Sequence, residues 1–253
     1  VIGSISFRTI VFVLVMALCE SPAMAQTGAP AHTRAGSAEP CETSLALGIN
    51  SSSGKTSFLN VSGGAKACTD NGKRRIDFET EIVASNRNGS TALNQWIDAA
   101  YEYRFARSWF GTLYMNEQAD RDAGLESRIV LAPGAGYQMV PKWGVVALEA
   151  GITRTWENTQ GAAPVDFPEY WSASQARWKI SRVSTLTESL EFYARMSDTA
   201  DHRWLSDTSL RFRLTERFSL RTSARVQWDN VPAFNYPKTT ITTRTQLEYS
   251  FNR

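Results

Sequence analysis

Two histidines, three cysteines and no long apolar run after the first twenty or so positions set the first limits on this 253-residue chain. No Cys-x-x-Cys pair, His-x-x-x-His spacing or glycine-rich phosphate loop occurs, so the usual zinc, redox-thiol and nucleotide sites lack their residues. An excess of one charge is missing too. Lys and Arg number 27 against 25 Asp and Glu, whereas a nucleic-acid binder would concentrate basic residues on one face. Beyond the N-terminus no segment supplies the roughly 20 apolar residues that a membrane-spanning helix requires.

The N-terminus is different. Arg8 precedes an apolar run from Ile10 to Leu18, and Ala23-Met24-Ala25 follows. One positive charge, a short apolar core and small residues describe a secretory signal, with cleavage expected after Ala25. Cys19 is no lipoprotein site on this reading, because Leu18 stands where a small residue is required. Residues 26–41, rich in Ala, Gly, Pro and Ser, form a flexible periplasmic leader with Pro30 and Pro40 opposing regular structure. Residues 42–253 form one further domain. Cys41 and Cys68 are left after cleavage, and export to an oxidising compartment makes them a disulfide candidate.

What the chain does have is alternation with a period of two. Phe218, Leu220, Thr222, Ala224, Val226 and Trp228 share one face, and Ser219, Arg221, Ser223, Arg225, Gln227 and Asp229 the other. Thr239 to Phe251 repeats the pattern, ending in Leu247, Tyr249 and Phe251. A soluble sandwich with tryptophans in its core would alternate likewise. The export signal and an aromatic last strand favour a membrane barrel, in which lipid-facing and lumen-facing residues cancel in any hydropathy average. The mean hydropathy of −0.30 then carries no argument against a membrane.

The other expected strands are Ser44 to Asn50, Thr56 to Cys68, Arg75 to Ser85, Leu93 to Phe105, Trp109 to Asn116, Leu125 to Tyr137, Trp143 to Trp156, Tyr170 to Ile180, Leu190 to Met196 and Trp204 to Leu214. Pro133, with Gly134 and Gly136, predicts a bulge or bend. Connections such as Asp70-Asn71-Gly72 and Val140 to Lys142 are short. Those at Glu117 to Gly124, Glu157 to Pro168, Ser197 to His202 and Asn230 to Lys238 are longer and polar. Short turns on one side and long loops on the other predict an all-β, transmembrane, antiparallel up-and-down β-barrel of about 12 strands. Trp109, Trp143, Trp156, Trp204 and Trp228 fall near strand ends, as interfacial girdles do, while Trp96 shares its face with polar residues.

The turn and strand Leu214-Thr215-Glu216-Arg217-Phe218-Ser219-Leu220, the segment Lys238-Thr239-Thr240 through Leu247-Glu248-Tyr249-Ser250-Phe251, Leu148-Glu149-Ala150-Gly151 and Ser53-Gly54-Lys55-Thr56 resemble a known family. It is the domain of unknown function 481, described as salt-induced outer membrane proteins, and the likeness runs from about Ser44 onward. The resemblance implies an outer-membrane barrel linked to salt stress and brings no catalytic residues with it.

An arginine on the lipid face near the midplane costs roughly 2 to 4 kcal/mol, so the charged face points inward. The expected lumen residues are Asp77, Glu79, Glu81, Asp98, Glu102, Arg104, Glu126, Arg128, Glu149, Arg177, Lys179, Glu191, Arg195, Arg211, Arg213, Arg221, Arg225, Arg244 and Glu248. With both signs interleaved, such charges either pair and fill the lumen or line a narrow path. The function expected is a narrow pore or a structural envelope barrel, monomeric and without a cofactor. Its partners are outer-membrane lipid, lipopolysaccharide and the barrel-assembly machinery, and no nucleic acid.

The alternative is a lipid hydrolase or acyltransferase, which needs a histidine-based constellation near the outer leaflet. His32 lies in the leader, so His202, near Asp198, Asp201, Ser206 and Asp207, is the one weak candidate. A lone histidine in a polar loop is more often solvated surface. Glu117, Asp120 and Asp122 can in principle take Ca²⁺ or bridge to lipopolysaccharide, although solvated loop charge is the plainer reading.

Overall fold

Period-two alternation leaves each strand with one face that must meet apolar surroundings, and closing the sheet on itself meets that demand without an exposed edge. In the computed structural model the chain does this with twelve antiparallel strands. They are β1 (Ser44–Ser52), β2 (Phe58–Asp70), β3 (Arg74–Arg87), β4 (Ser90–Arg104), β5 (Trp109–Asp120), β6 (Leu125–Met139), β7 (Gly144–Thr159), β8 (Val165–Lys179), β9 (Ser184–Arg195), β10 (His202–Arg213), β11 (Phe218–Asp229) and β12 (Thr239–Ser250). The structure describes residues 41–52, 58–87, 90–120, 125–231 and 238–251. The expected signal and leader, Cys19 and His32 lie outside the described residues, as do Asp122 and the Ser53 to Thr56 turn. Each strand pairs with its sequence neighbour, and β1 closes on β12 through Ser44↔Ser250 to Gly48↔Gln246.

Turn chemistry fixes the short ends. Gly72 adopts φ 84°, its N–H donates to Asp70 Oδ1 at 2.7 Å, and Asn71 Oδ1 accepts from the N–H of Arg74 at 2.8 Å. Asp-Asn-Gly therefore satisfies its own backbone while reversing the chain. At the same end the Cys41–Cys68 disulfide ties the segment before β1 to the last turn of β2.

The aliphatic face of most strands points outward. Leu47 is 70 % exposed and Ile49 66 %, as residues facing lipid are when no lipid is counted. Aromatic pairs gather at the two rims. Trp109 meets Tyr137, Trp143 stacks on Trp178, and Tyr249 lies between Phe218 and Phe251 at the short-turn end. His202 sits between Phe192 and Trp228 at the long-loop end.

Several expected boundaries move. β5 continues through Glu117 to Asp120, so part of the expected loop is strand. β7 and β8 run on to Thr159 and back to Val165, leaving only residues 160–164 between them. Pro168 sits within β8 opposite Arg154. β9 begins at Ser184, six residues before the expected Leu190. Pro133 makes no bulge: Leu113↔Pro133 keeps the β5 register, and the β6–β7 register is the same on either side of it. The shifts fall at Gln118/Asp120 and Leu125/Ser127, beside the long-loop end.

Candidate functional site in the barrel lumen

Inside the barrel, glycines on β6 decide how far aromatic rings reach. A Cβ on Gly136 would lie 2.2 Å from the Phe110 ring, and one on Gly134 would lie 2.9 Å from Trp171. Lacking side chains there, β6 lets Phe110 and Trp171 lie flat against the wall, 1 % and 2 % exposed. Trp96, Tyr114, Phe167 and Tyr193 are buried on the same inner surface. The lumen is packed with side chains along β4 to β9.

Charge on the inner face changes sign along the chain. Expected lumen residues Asp77, Glu81, Asp98, Glu102 and Glu149 are buried on β3, β4 and β7, with Glu79 half-buried beside them. Arg177, Lys179, Arg195, Arg211, Arg213, Arg221, Arg225 and Arg244 all come from β8 to β12. The signs are sorted onto opposite walls, and the expectation of interleaving is corrected on that point. Among the expected residues Arg104 and Arg128 on the acidic side, with Glu191 and Glu248 on the basic side, break the pattern, and Lys66, Arg75, Glu169 and Asp207 break it further. Sorting brings distant residues together: Arg244 Nη1 lies 2.7 Å from Glu81 Oε2, and Gln246 donates to the other oxygen at 3.1 Å.

Two cavities lie in the interior among the described residues. The larger, about 660 Å³, opens at the short-turn end and reaches Thr187, Ser209, Ser223 and Arg244. The smaller, about 60 Å³, is bounded by Trp96, Tyr114, Arg128, Glu191, Arg203 and Arg225. Between them on β9 and β10 stand Ser189 and Asp207, both buried, with Arg225 Nε 3.9 Å from Asp207. Across from this layer Asp98 accepts from the Tyr114 hydroxyl at 2.5 Å and from Asn116 at 2.7 Å. A charged layer therefore stands across the lumen between the two cavities.

Toward the long loops the expected Arg128 is held by Glu157 at 2.7 Å, and Arg203 pairs with Glu169 at 2.9 Å. Glu169 also accepts from Thr155 at 2.7 Å. Arg195 stacks 3.9 Å from the Phe167 ring centre and pairs with Asp201 at 3.1 Å. In that loop burial raises the Asp201 pKa, against the pull of Arg195. At the opposite mouth Arg211 holds both Glu42 (2.9 Å) and Glu248 (2.8 Å), and Arg104 holds Asp70 at 3.0 Å.

Three expected residues lie at the margins. Lys179 and Arg213 are exposed on the rim of the larger cavity. Glu126 does not line the lumen. The shift at Leu125/Ser127 turns Leu125 inward, 5 % exposed, and leaves Glu126 outside accepting from Asn158 at 2.8 Å. Conversely Arg75, Glu157, Glu169, Arg203 and Asp207 are inner charges absent from the expected set. Extending the alternation of β7, β8 and β10 past their expected ends would have found Glu157, Glu169 and Arg203.

Besides Glu126, Arg154 and Asp166, a carboxylate within β9 also faces outward. Glu188 shares the outer face of β9 with Leu186 and Leu190, opposite the cavity-lining Thr185 and Thr187. Ser206 donates to it at 2.9 Å and Thr208 donates to its second oxygen. A carboxylate directed at hydrocarbon is thus supplied with two donors from the neighbouring strand.

The histidine constellation is not assembled. His202 Nδ1 lies 2.9 Å from the Ala200 carbonyl, its ring packs among rim aromatics, and Ser206 gives its hydroxyl to Glu188. Glu117 is on β5, and no cluster of three or more metal-ligating side chains occurs among the described residues.

Comparison with known proteins places this architecture. The family described as protein of unknown function, DUF481, matches residues 45–251. Among solved structures, the NanC porin superposes with a TM-score of 0.52 at 9 % identity, covering 83 % of this chain and 100 % of that one. An outer membrane channel from Pseudomonas putida F1 gives 0.50 at 11 % identity, covering 92 % and 100 %. At such identity the likeness is one of fold, that of an outer-membrane barrel. No curated protein matches the sequence.

Proposed function

The chain belongs to the DUF481 family of unknown function, and from that footing we propose that it is a narrow, charge-lined pore of the bacterial outer membrane. The observation that carries this reading is the mid-height layer of Ser189, Asp207 and Arg225, faced by Asp98, that stands between the two cavities. Buried charges persist only when paired or hydrated, and a layer built from them passes small ions while excluding larger solutes. Sixteen-stranded barrels leave an aqueous channel and eight-stranded ones are filled by side chains; twelve strands packed as here stand between.

Export by the N-terminal signal, cleavage after Ala25 and insertion by the barrel-assembly machinery belong to the same proposal. Lipid and lipopolysaccharide are on this reading its surroundings and not substrates, a reading supported by the Ser206 hydroxyl being given to Glu188 and His202 Nδ1 facing the Ala200 carbonyl. Liposome swelling tests the pore. Vesicles carrying the folded barrel should admit small ions and exclude sugars, and entry of a disaccharide would contradict the reading.

A further inference from the structure

The larger cavity has the size of a small-molecule site, about 660 Å³, and its charge does not balance. Eight Lys and Arg side chains line it against four Glu. Glu42 and Glu248 are engaged by Arg211, and Glu81 by Arg244. The excess gathers on one wall, where β8, the turn after it and β10 carry Lys179, Arg182 and Arg213, the last also donating to the Arg182 carbonyl at 2.7 Å.

Resting on the narrow-lumen reading, we propose that this vestibule binds a small soluble anion bearing two or more phosphate, sulfate or carboxylate groups, entering from the short-turn side. The low-dielectric walls of the barrel focus the field of the unbalanced cations into the cavity. Guanidinium groups accept such oxyanions in a bidentate fork, and Lys179 adds a point charge at the rim. Thr185, Thr187 and Ser209, which also line the cavity, provide neutral donors for the remaining oxygens. A single charge would offset only part of the excess, so multivalent anions are preferred. The barrel wall keeps lipid headgroups from this cavity, and the mid-height layer keeps the anion on the side it entered.

The test is calorimetric titration of the chain, folded in uncharged detergent, with sodium tripolyphosphate. Saturable 1:1 binding that weakens with salt is expected. Lys179→Gln and Arg213→Gln should each weaken it roughly tenfold. Arg154→Gln, outside the barrel beside Asp166, should leave it unchanged. Heat-shifted gel mobility checks that each variant is folded. Absence of saturable heat, or equal affinity in all the variants, would overturn the site. Swelling separates the two claims: tripolyphosphate binding with disaccharide entry sinks only the narrow pore, and sugar exclusion without binding sinks only the vestibule site.

Discussion

Replacing Arg244 by Met tests whether the lumen is packed. The Arg244 and Glu81 side chains are 10 % and 4 % exposed and 2.7 Å apart, on strands separated by β1 and β2. Arg244→Met takes this cation from the Glu81 carboxylate, which keeps its hydrogen bond from Gln246. Removing one partner of a buried ion pair costs about 3–5 kcal/mol, because the other charge keeps its desolvation penalty. The double variant Glu81→Gln/Arg244→Met removes both charges and should return to within about 1–2 kcal/mol of the wild type. Urea unfolding in lipid vesicles, followed by tryptophan emission, measures both. A loss below about 1 kcal/mol for Arg244→Met would refute the reasoning, since that is the worth of a pair bathed in water.

Other variants read other parts of the account. Cys41→Ser/Cys68→Ser releases a closed loop with a sequence separation of 27 and should cost roughly 3.5 kcal/mol on the chain-entropy estimate. Wild-type thiols should correspondingly resist alkylation until reduced. Ser206→Val/Thr208→Val strips both donors from outward-facing Glu188 and should destabilise the barrel by about 1–3 kcal/mol, with recovery on adding Glu188→Leu. Val226→Arg places a charge on the lipid face and should impair assembly by about 2–4 kcal/mol, whereas Ser223→Arg points into the vestibule and should be tolerated. The reverse order in a vesicle-folding assay would mean that the faces of β11 are misassigned.

Much of this was legible in the sequence, for a physical reason. A strand between lipid and a polar interior must alternate, so β3, β4, β11 and β12 declared both faces without help from their neighbours. The disulfide followed from topology, because two strands joined at one rim bring Cys41 and Cys68 together. β9 was half hidden, since Glu188 on the outer face interrupts the apolar alternation before the expected start at Leu190. Only the Ser206 and Thr208 hydroxyls of β10 explain how that carboxylate is accommodated. Glu126 was misplaced because a one-residue register shift reverses every side chain beyond it. The pairing of Glu81 with Arg244 depends on barrel closure, which brings β3 and β12 together across β1 and β2. Likewise, nothing local to Gly134 and Gly136 says that Trp171 and Phe110 occupy the space they leave.

The most direct test of the central claim is single-channel conductance in a planar bilayer, comparing the wild type with Asp207→Ala/Arg225→Ala. Removing that layer joins the two cavities. The account predicts small discrete steps for the wild type and steps several-fold larger for the variant. Equal steps from the two proteins, both verified as folded, would show that the ion path does not run through the Arg225–Asp207 layer and would contradict it.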